Sequence, residues 1–333
     1  MLKKLVFILF VLFFWQCVAA PTAQAQNANP CFITTIWYSP DPVPFGWWAL
    51  GPAQGPFSFI LAEGNATCHP PCDCPKRAGE AGGPISLASG DTYIQQVDVK
   101  LPGLGGGLNL TRTWNSIWPP LLALYSNGMF GPNWRSTYEE QIVIPGDHYV
   151  RYLRGDGTIW VFGGMGLGNG FVVSSPANTP ATLVAGTNLV LTFQSGEQRQ
   201  FTLTTGLLTA IIDRNGNTTQ LTYDSSNRLV TVTGPASQHL YFNYQSGSST
   251  LVTSVTSDFG VTYSYSYDAQ GRLSQVTKPD QTTVSFTYST QSQITQVTDS
   301  NGKVLESHTY DSSGRGLTSS QANGVNAVTL TYP

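Results

Sequence analysis

In the last third of the chain, apolar and polar residues alternate one by one. Val284, Phe286 and Tyr288 fall on one side of a strand, with Ser285 and Thr287 on the other; Tyr263, Tyr265 and Tyr267 oppose Ser264 and Ser266 in the same way. A period of two with one apolar side predicts strands of a sheet that buries one face. Tyrosines recur at Tyr223, Tyr244, Tyr267, Tyr288, Tyr310 and Tyr332, with spacings of 21, 23, 21, 22 and 22. In alternate copies the tyrosine is followed by a turn: Asp224-Ser225-Ser226-Asn227-Arg228, Asp268-Ala269-Gln270-Gly271-Arg272 and Asp311-Ser312-Ser313-Gly314-Arg315. Aspartate opens a turn by accepting backbone N–H bonds, and Asn or Gly three residues on takes the left-handed conformation that closes a hairpin. Val232-Thr233, Val255-Thr256, Val276-Thr277 and Val297-Thr298 lie in the returning strands. A second kind of turn is clearest at Asp213-Arg214-Asn215-Gly216 and Asp299-Ser300-Asn301-Gly302.

The returning strand is less regular. Leu273 and Val276 are three apart, so both face inward only across a β-bulge, which the spacing leaves open. A unit of about 22 residues is therefore two strands and two turns. One hairpin is marginal alone, so the units are expected to stack into a meandering sheet that buries its aromatic face. Upstream, Gln95 to Leu101, Leu108 to Trp114, Glu140 to Ile144 and Thr158 to Phe162 read as strands. Pro145-Gly146-Asp147 and Gly155-Asp156-Gly157 read as tight turns. Residues 26–84 carry Pro, Gly, Cys and Trp without periodicity and read as a loop-rich segment. The expected organisation is residues 1–25, then 26–84, a smaller β module at 85–205, and the repeats at 206–333.

The amino terminus changes the picture by setting a compartment. Lys3 and Lys4 precede an uncharged apolar run from Leu5 to about Val18, and Ala23-Gln24-Ala25 follows the small-x-small rule. This order predicts a secretory signal cut between Ala25 and Gln26. The run is shorter than the roughly 20 residues a bilayer span requires. Gln16 before Cys17 is not the small residue of a lipoprotein signal. The expected location is extracellular, cell-surface or periplasmic, with no membrane span after residue 25.

Composition narrows the chemistry. Charged residues are 11% of the chain, the formal charge is −3, and loss of Lys3 and Lys4 takes it to −5. A mildly acidic chain without a basic cluster is unsuited to nucleic acid, whose binding rests on Lys and Arg neutralising phosphates. Four cysteines lie beyond the signal: Cys31, Cys68, Cys72 and Cys74. In an exported chain they predict two disulfides, with three possible pairings. Cys72 and Cys74 are too close to bond easily, so each is expected to pair with Cys31 or Cys68. The alternative, a zinc site completed by His69, does not match a standard ligand spacing. His148, His239 and His308 read as surface or sheet-face residues. No Gly-x-Ser-x-Gly or His-Glu-x-x-His pattern occurs, and the carboxylates mostly begin turns. Arg154-Gly155-Asp156 is an adhesion-type tripeptide, but the next glycine makes it read as a hairpin tip. Gly163 to Gly170 lacks the following helix of a phosphate loop. The tyrosine stripe could stack on sugars, yet its recurrence in every unit favours core packing.

The Tyr-Asp pairs at 223–224, 267–268 and 310–311 closely resemble the YD-repeat, or RHS-repeat, family. The resemblance extends upstream through Pro84-Ile85-Ser86-Leu87-Ala88-Ser89-Gly90-Asp91, Leu110-Thr111-Arg112-Thr113-Trp114-Asn115-Ser116 and Phe130-Gly131-Pro132-Asn133-Trp134-Arg135, and so covers residues 84–333. It implies an all-β fold of antiparallel hairpin repeats wound into a spiral, shell-like sheet. In long relatives such a shell encloses and delivers a carboxy-terminal effector, the product of a self-cleaving core. No residues here match that core or an effector tip. The expectation is an exported structural or binding protein without catalytic activity or cofactor, partnered by the rest of a longer repeat shell or another repeat chain. A stand-alone adhesion protein binding cell-surface glycans is the alternative, and a glycan-acting enzyme a lesser one. Val328 to Tyr332 reads as a final strand without a cap. An open edge invites pairing, so the chain is expected to be the front of a longer protein and to self-associate there.

Overall fold

The computed structural model describes residues 80–81, 84–145, 149–165, 171–176 and 178–332. The signal, Cys31, Cys68, His69, Cys72, Cys74 and His148 lie outside the described residues, as does most of the Gly163–Gly170 stretch.

The described chain is mostly β. Short alternating runs bounded by Gly, Asn and Asp give nineteen strands of one antiparallel sheet, from Gln141–Val143 to Val328–Thr329. Each strand pairs with its sequence neighbour, and the ladder crosses residue 205 without a break: Gln198–Thr202 pairs with Leu208–Ile212. Helical geometry among the described residues is limited to single 3-10 segments at Leu104–Gly106, Pro120–Tyr125 and Ala322–Gly324. The terminal strand is shorter than its alternation suggests, only Val328–Thr329, although Leu330 N–H still donates to Leu317 O at 2.7 Å.

The first eight strands, up to Leu208–Ile212, curl until their start meets their end. Gln141 bridges Leu207, and Ile142 N–H donates to Gly206 O at 2.9 Å. A Cβ on Gly206 would lie 1.8 Å from Ile142 O, and its φ is +64°, so only glycine fits this closure. The coil fills itself with aromatic rings. Tyr152 meets Trp160, Phe201 and Phe193 at centroid distances of 5.6, 5.8 and 6.4 Å.

Beyond the coil the repeats are built by one rule. At each inward tyrosine the ladder slips by one residue: Tyr267 pairs with Leu273 and Ser266 with Gln275. The same bulge recurs at Tyr223, Tyr244, Tyr288 and Tyr310. It resolves the three-residue spacing, because Leu273 and Val276 are both buried, as are Leu229 and Val232, Val252 and Val255, and Ile294 and Val297.

A separate module precedes the sheet. Tyr93–Leu101, Leu108–Asn115 and Trp134–Ser136 form a three-stranded antiparallel sheet, and Asn127–Gly128 pairs with Gly131–Pro132. Its apolar side joins the repeat face in one hydrophobic core. The layer covering the repeat aromatics is thus the module, not a neighbouring repeat. On the opposite face of the coil, Trp118, Leu122 and Tyr125 pack on Val143, Leu153 and Ile159 in a satellite core.

Candidate functional site: the seam between module and repeats

The repeat signature residues are structural fasteners. Each tyrosine hydroxyl donates to a carbonyl at the start of the preceding strand: Tyr223 to Leu208, Tyr244 to Leu229, Tyr267 to Val252, Tyr288 to Leu273, Tyr310 to Ile294 and Tyr332 to Gly316, all at 2.6–2.8 Å. Burial pushes these phenols well above the usual tyrosine range, so they remain donors. Asp224 Oδ1 accepts the Ser226 and Arg228 N–H groups, while Oδ2 takes Arg228 Nε at 2.7 Å. Asp268 with Arg272 and Asp311 with Arg315 repeat the pattern. The residue closing each turn is left-handed, at Asn227 (φ +61°), Gly271 (+74°) and Gly314 (+84°). Each turn arginine then lies over the next tyrosine: Arg228 over Tyr244 at 4.9 Å, Arg272 over Tyr288 at 4.7 Å and Arg315 over Tyr332 at 4.3 Å. Asp, Arg and Tyr therefore lock one hairpin to the next, and their polar atoms are occupied by one another and by backbone groups.

The seam brings together the upstream motifs. Arg112 is buried, its Nε and Nη2 paired with both oxygens of Asp98, the latter at 2.8 Å. The Tyr265 hydroxyl, from the repeats, donates to Asp98 Oδ2 at 2.7 Å. The guanidinium lies among Trp134 (4.8 Å), Phe130 (5.4 Å) and Tyr265 (5.4 Å). Burial opposes its charge, but the attraction and hydrogen bonds of Asp98 outweigh that, and the net effect raises Arg112 above the usual arginine range. Burial, followed by the Asp98 charge, holds Tyr265 far above the ordinary phenol value. Trp134 meets Phe286 edge-on at 5.2 Å, Trp114 meets Tyr310 at 6.3 Å, and Tyr138 meets Phe242 at 6.4 Å. The opening motif ties down the far end, where Gly316 N–H donates to Gly90 O at 2.8 Å. Asp91 Oδ1 accepts the Ile117 N–H at 3.1 Å.

A second polar cluster sits where the module hands over to the coil. Glu139 Oε1 accepts the Met129 N–H, and Met129 O in turn accepts Val252 N–H at 2.9 Å. Beside it a cavity of about 220 Å³ is lined by Asn127, Arg135, Tyr223, Arg228 and Tyr244 among others.

The arrangement is a set of clamps. Among the described residues no three His, Cys, Asp or Glu side chains are grouped to hold a metal ion. No helix there is long and apolar enough to cross a membrane. Asp98, Glu139 and Met129 escaped sequence reasoning. Alternation could not reveal Asp98, because a bulge between Val97 and Val99 in the folded ladder turns it inward. His239, half-exposed, pairs through Nδ1 with Asp258 at 2.8 Å, whereas His308 is buried on the inward face. The Arg154-Gly155-Asp156 tip packs on the module, since a Cβ at Gly155 would lie 2.6 Å from Ser136 O.

The domain of unknown function DUF6531 matches residues 82–162, and the RHS Repeat model matches residues 204–239 and 248–283. The chain is an RHS-repeat protein. The DUF6531 match spans the module and the first strands of the coil, and the two RHS matches fall on hairpins carrying the tyrosine and arginine fasteners. No curated protein matches the chain. Among solved structures, it is similar to TcdB2-TccC3-Cdc42, at 13% identity over 68% of this chain with a TM-score of 0.30. It is also similar to TcdB2-TccC3, at 15% over 69% with a TM-score of 0.28, and to the Photorhabdus luminescens Tc holotoxin pore, at 11% over 71% with a TM-score of 0.24. It spans only 15%, 12% and 14% of the length of those three chains.

Proposed function

We propose that this chain is the exported, non-catalytic front of an RHS-type shell that encloses a polypeptide cargo. One observation carries the reading: the module packs on the apolar face of a continuous, curved sheet, so the wall is built around a filled core. The cysteines of residues 26–79, joined as disulfides, would brace the segment before the module outside the cell. The 85–205 and 206–333 units act together in this role: the module that opens the first supplies the filling, and its strands from Gln141 onward form the wall with those of the second. The test is protease digestion of the native gene product purified from its source. A fragment protected with the repeats, and released only on denaturation, supports enclosure; digestion that leaves the repeats alone and intact overturns it.

A second reading, a surface protein that binds glycans, draws on one outward patch. The repeat outer face is mainly Ser, Thr and Gln, but Tyr241 and Phe259 are 40% and 65% exposed there. Asp258 accepts the Tyr241 hydroxyl at 2.9 Å, and His239 stacks beside that ring. Aromatic faces next to a carboxylate suit sugar hydroxyls and C–H faces. Binding of neutral oligosaccharides that disappears with Tyr241→Ala is the expected result for this reading; an unchanged binding profile removes it.

A further inference from the structure

Glu139 stands in the turn between Trp134–Ser136 of the module and Gln141–Val143, the first strand of the sheet. One link from module to wall, the one through Met129, is held by it. Its Oε1 holds the Met129 N–H, and Met129 is bound to the repeats by Val252 N–H and by the Tyr267 hydroxyl at 3.4 Å. Its Oε2 is sealed from solvent and has no hydrogen-bond partner. A Cβ on Gly128 would lie 2.7 Å from Glu139 Oε1 and 2.2 Å from Trp134 O, so the carboxyl is seated against a backbone that leaves no slack.

Among the described residues no neighbouring cation forms an ion pair with the carboxyl, although the charge of Arg135 acts on it. On its own segment, Arg135 directs Nη2 to the Glu139 backbone carbonyl at 2.7 Å and Nη1 to Tyr125 O at 3.5 Å, and Glu140 is paired with Arg199 at 2.9 Å. Tyr138 accepts the Asn109 N–H. From the repeats, Arg228 is paired with Asp224, and the hydroxyls of Tyr223, Tyr244 and Tyr267 donate to strand carbonyls. A buried carboxylate with one bare oxygen is costly unless it takes a proton or finds water. The cavity of about 220 Å³ next to it provides the second option, with room for several waters.

We propose that Glu139 is a proton-controlled latch: the neutral carboxyl keeps the 127–132 hairpin against the repeats, and the ionised carboxylate turns into the adjoining cavity and loosens that contact. Burial pushes the Glu139 carboxyl up, against the opposing pull of Arg135. A carboxyl raised in the folded state contributes stability that is present below the ordinary carboxylate range and is lost as pH rises through the folded value. The module is therefore held more tightly in mild acid than at neutral pH, independently of what the shell encloses.

The test compares the full chain with Glu139→Gln between about pH 5 and about pH 8. The thermal midpoint of the wild type falls by roughly 2–4 °C relative to the variant over that range. Exchange of the Val252 amide, corrected for intrinsic rate, accelerates with pH only in the wild type. Superimposable pH profiles for the two proteins overturn the latch. If Glu139→Gln does not fold, the carboxyl carbon of Glu139 is followed by NMR in the wild type. A titration midpoint above the ordinary glutamate value supports the latch, and one at or below it overturns it.

Discussion

The opening coil and the repeats solve one problem in two ways. Both are antiparallel strands with one apolar face, and neither face is stable in water. The coil curves until Gln141 bridges Leu207, then packs Tyr152, Trp160, Phe193 and Phe201 against one another. The repeats remain open and take their cover from the module, through Arg112, Phe130, Trp114 and Trp134. Closure costs chain entropy once, while cover by a separate layer must be held by specific contacts along its whole length. This is why the polar fasteners are concentrated at the seam and in the repeats. The coil, closed on itself, relies on packing, with Glu140 and Arg199 as its main ion pair.

The largest effect is expected at the seam. Asp98→Ala leaves Arg112 charged, buried and unpaired, and should cost about 3–5 kcal/mol in denaturant unfolding. Replacing both partners by apolar residues should recover most of that loss; a double variant as unstable as the single one would break the claim that the unpaired charge is the cause. Next come paired cavities, Leu191→Ala in the coil and Leu273→Ala in the repeats, each costing about 2–5 kcal/mol. Both leucines are fully buried. Hydrogen exchange separates them: Leu273→Ala should speed exchange in the module strands Leu108–Asn115 and Trp134–Ser136, and Leu191→Ala should not. Equal acceleration in both variants would mean that coil and repeats unfold as one unit.

Smaller effects sharpen the repeat rule. Tyr288→Phe removes the bond to Leu273 O and should cost about 1 kcal/mol, seen as a lower denaturation midpoint with unchanged m-value. An unaltered midpoint would show that the hydroxyl is replaceable by water. The smallest effect is confined to acid. At Asp268 and Asp311 desolvation is the largest single effect and pushes the carboxyl up, but the turn bonds to Arg272 and Arg315 together outweigh it; at Asp224 the bonds to Arg228 lead, and all three carboxyls lie below the usual aspartate range. Their contribution is present above the ordinary carboxylate value and is lost as pH falls through the folded one, the reverse of Glu139. Replacing all three by Asn should flatten the acid limb of the stability curve below about pH 4 and leave neutral pH nearly unchanged.

Much of this was legible in the residues alone. Strand alternation, the left-handed Asn227, Gly271 and Gly314, and the inward set of tyrosines are local facts, decided within one hairpin by sterics and turn chemistry. The RHS identity and the all-β architecture follow from their repetition. The bulge at each tyrosine was posed as a question by Leu273 and Val276, and only pairing across the ladder answered it. What covers the aromatic face was beyond local reasoning. Asp98 and Tyr265 are 167 residues apart, and no periodicity links them. Glu139 reads as one more polar residue before a strand, because its burial is created by Met129, Gly128 and the repeat tyrosines arriving from elsewhere. Short-range geometry is written in neighbouring residues; partners brought together by packing are set by the competition among all apolar surfaces at once, and that is decided only when the chain has folded.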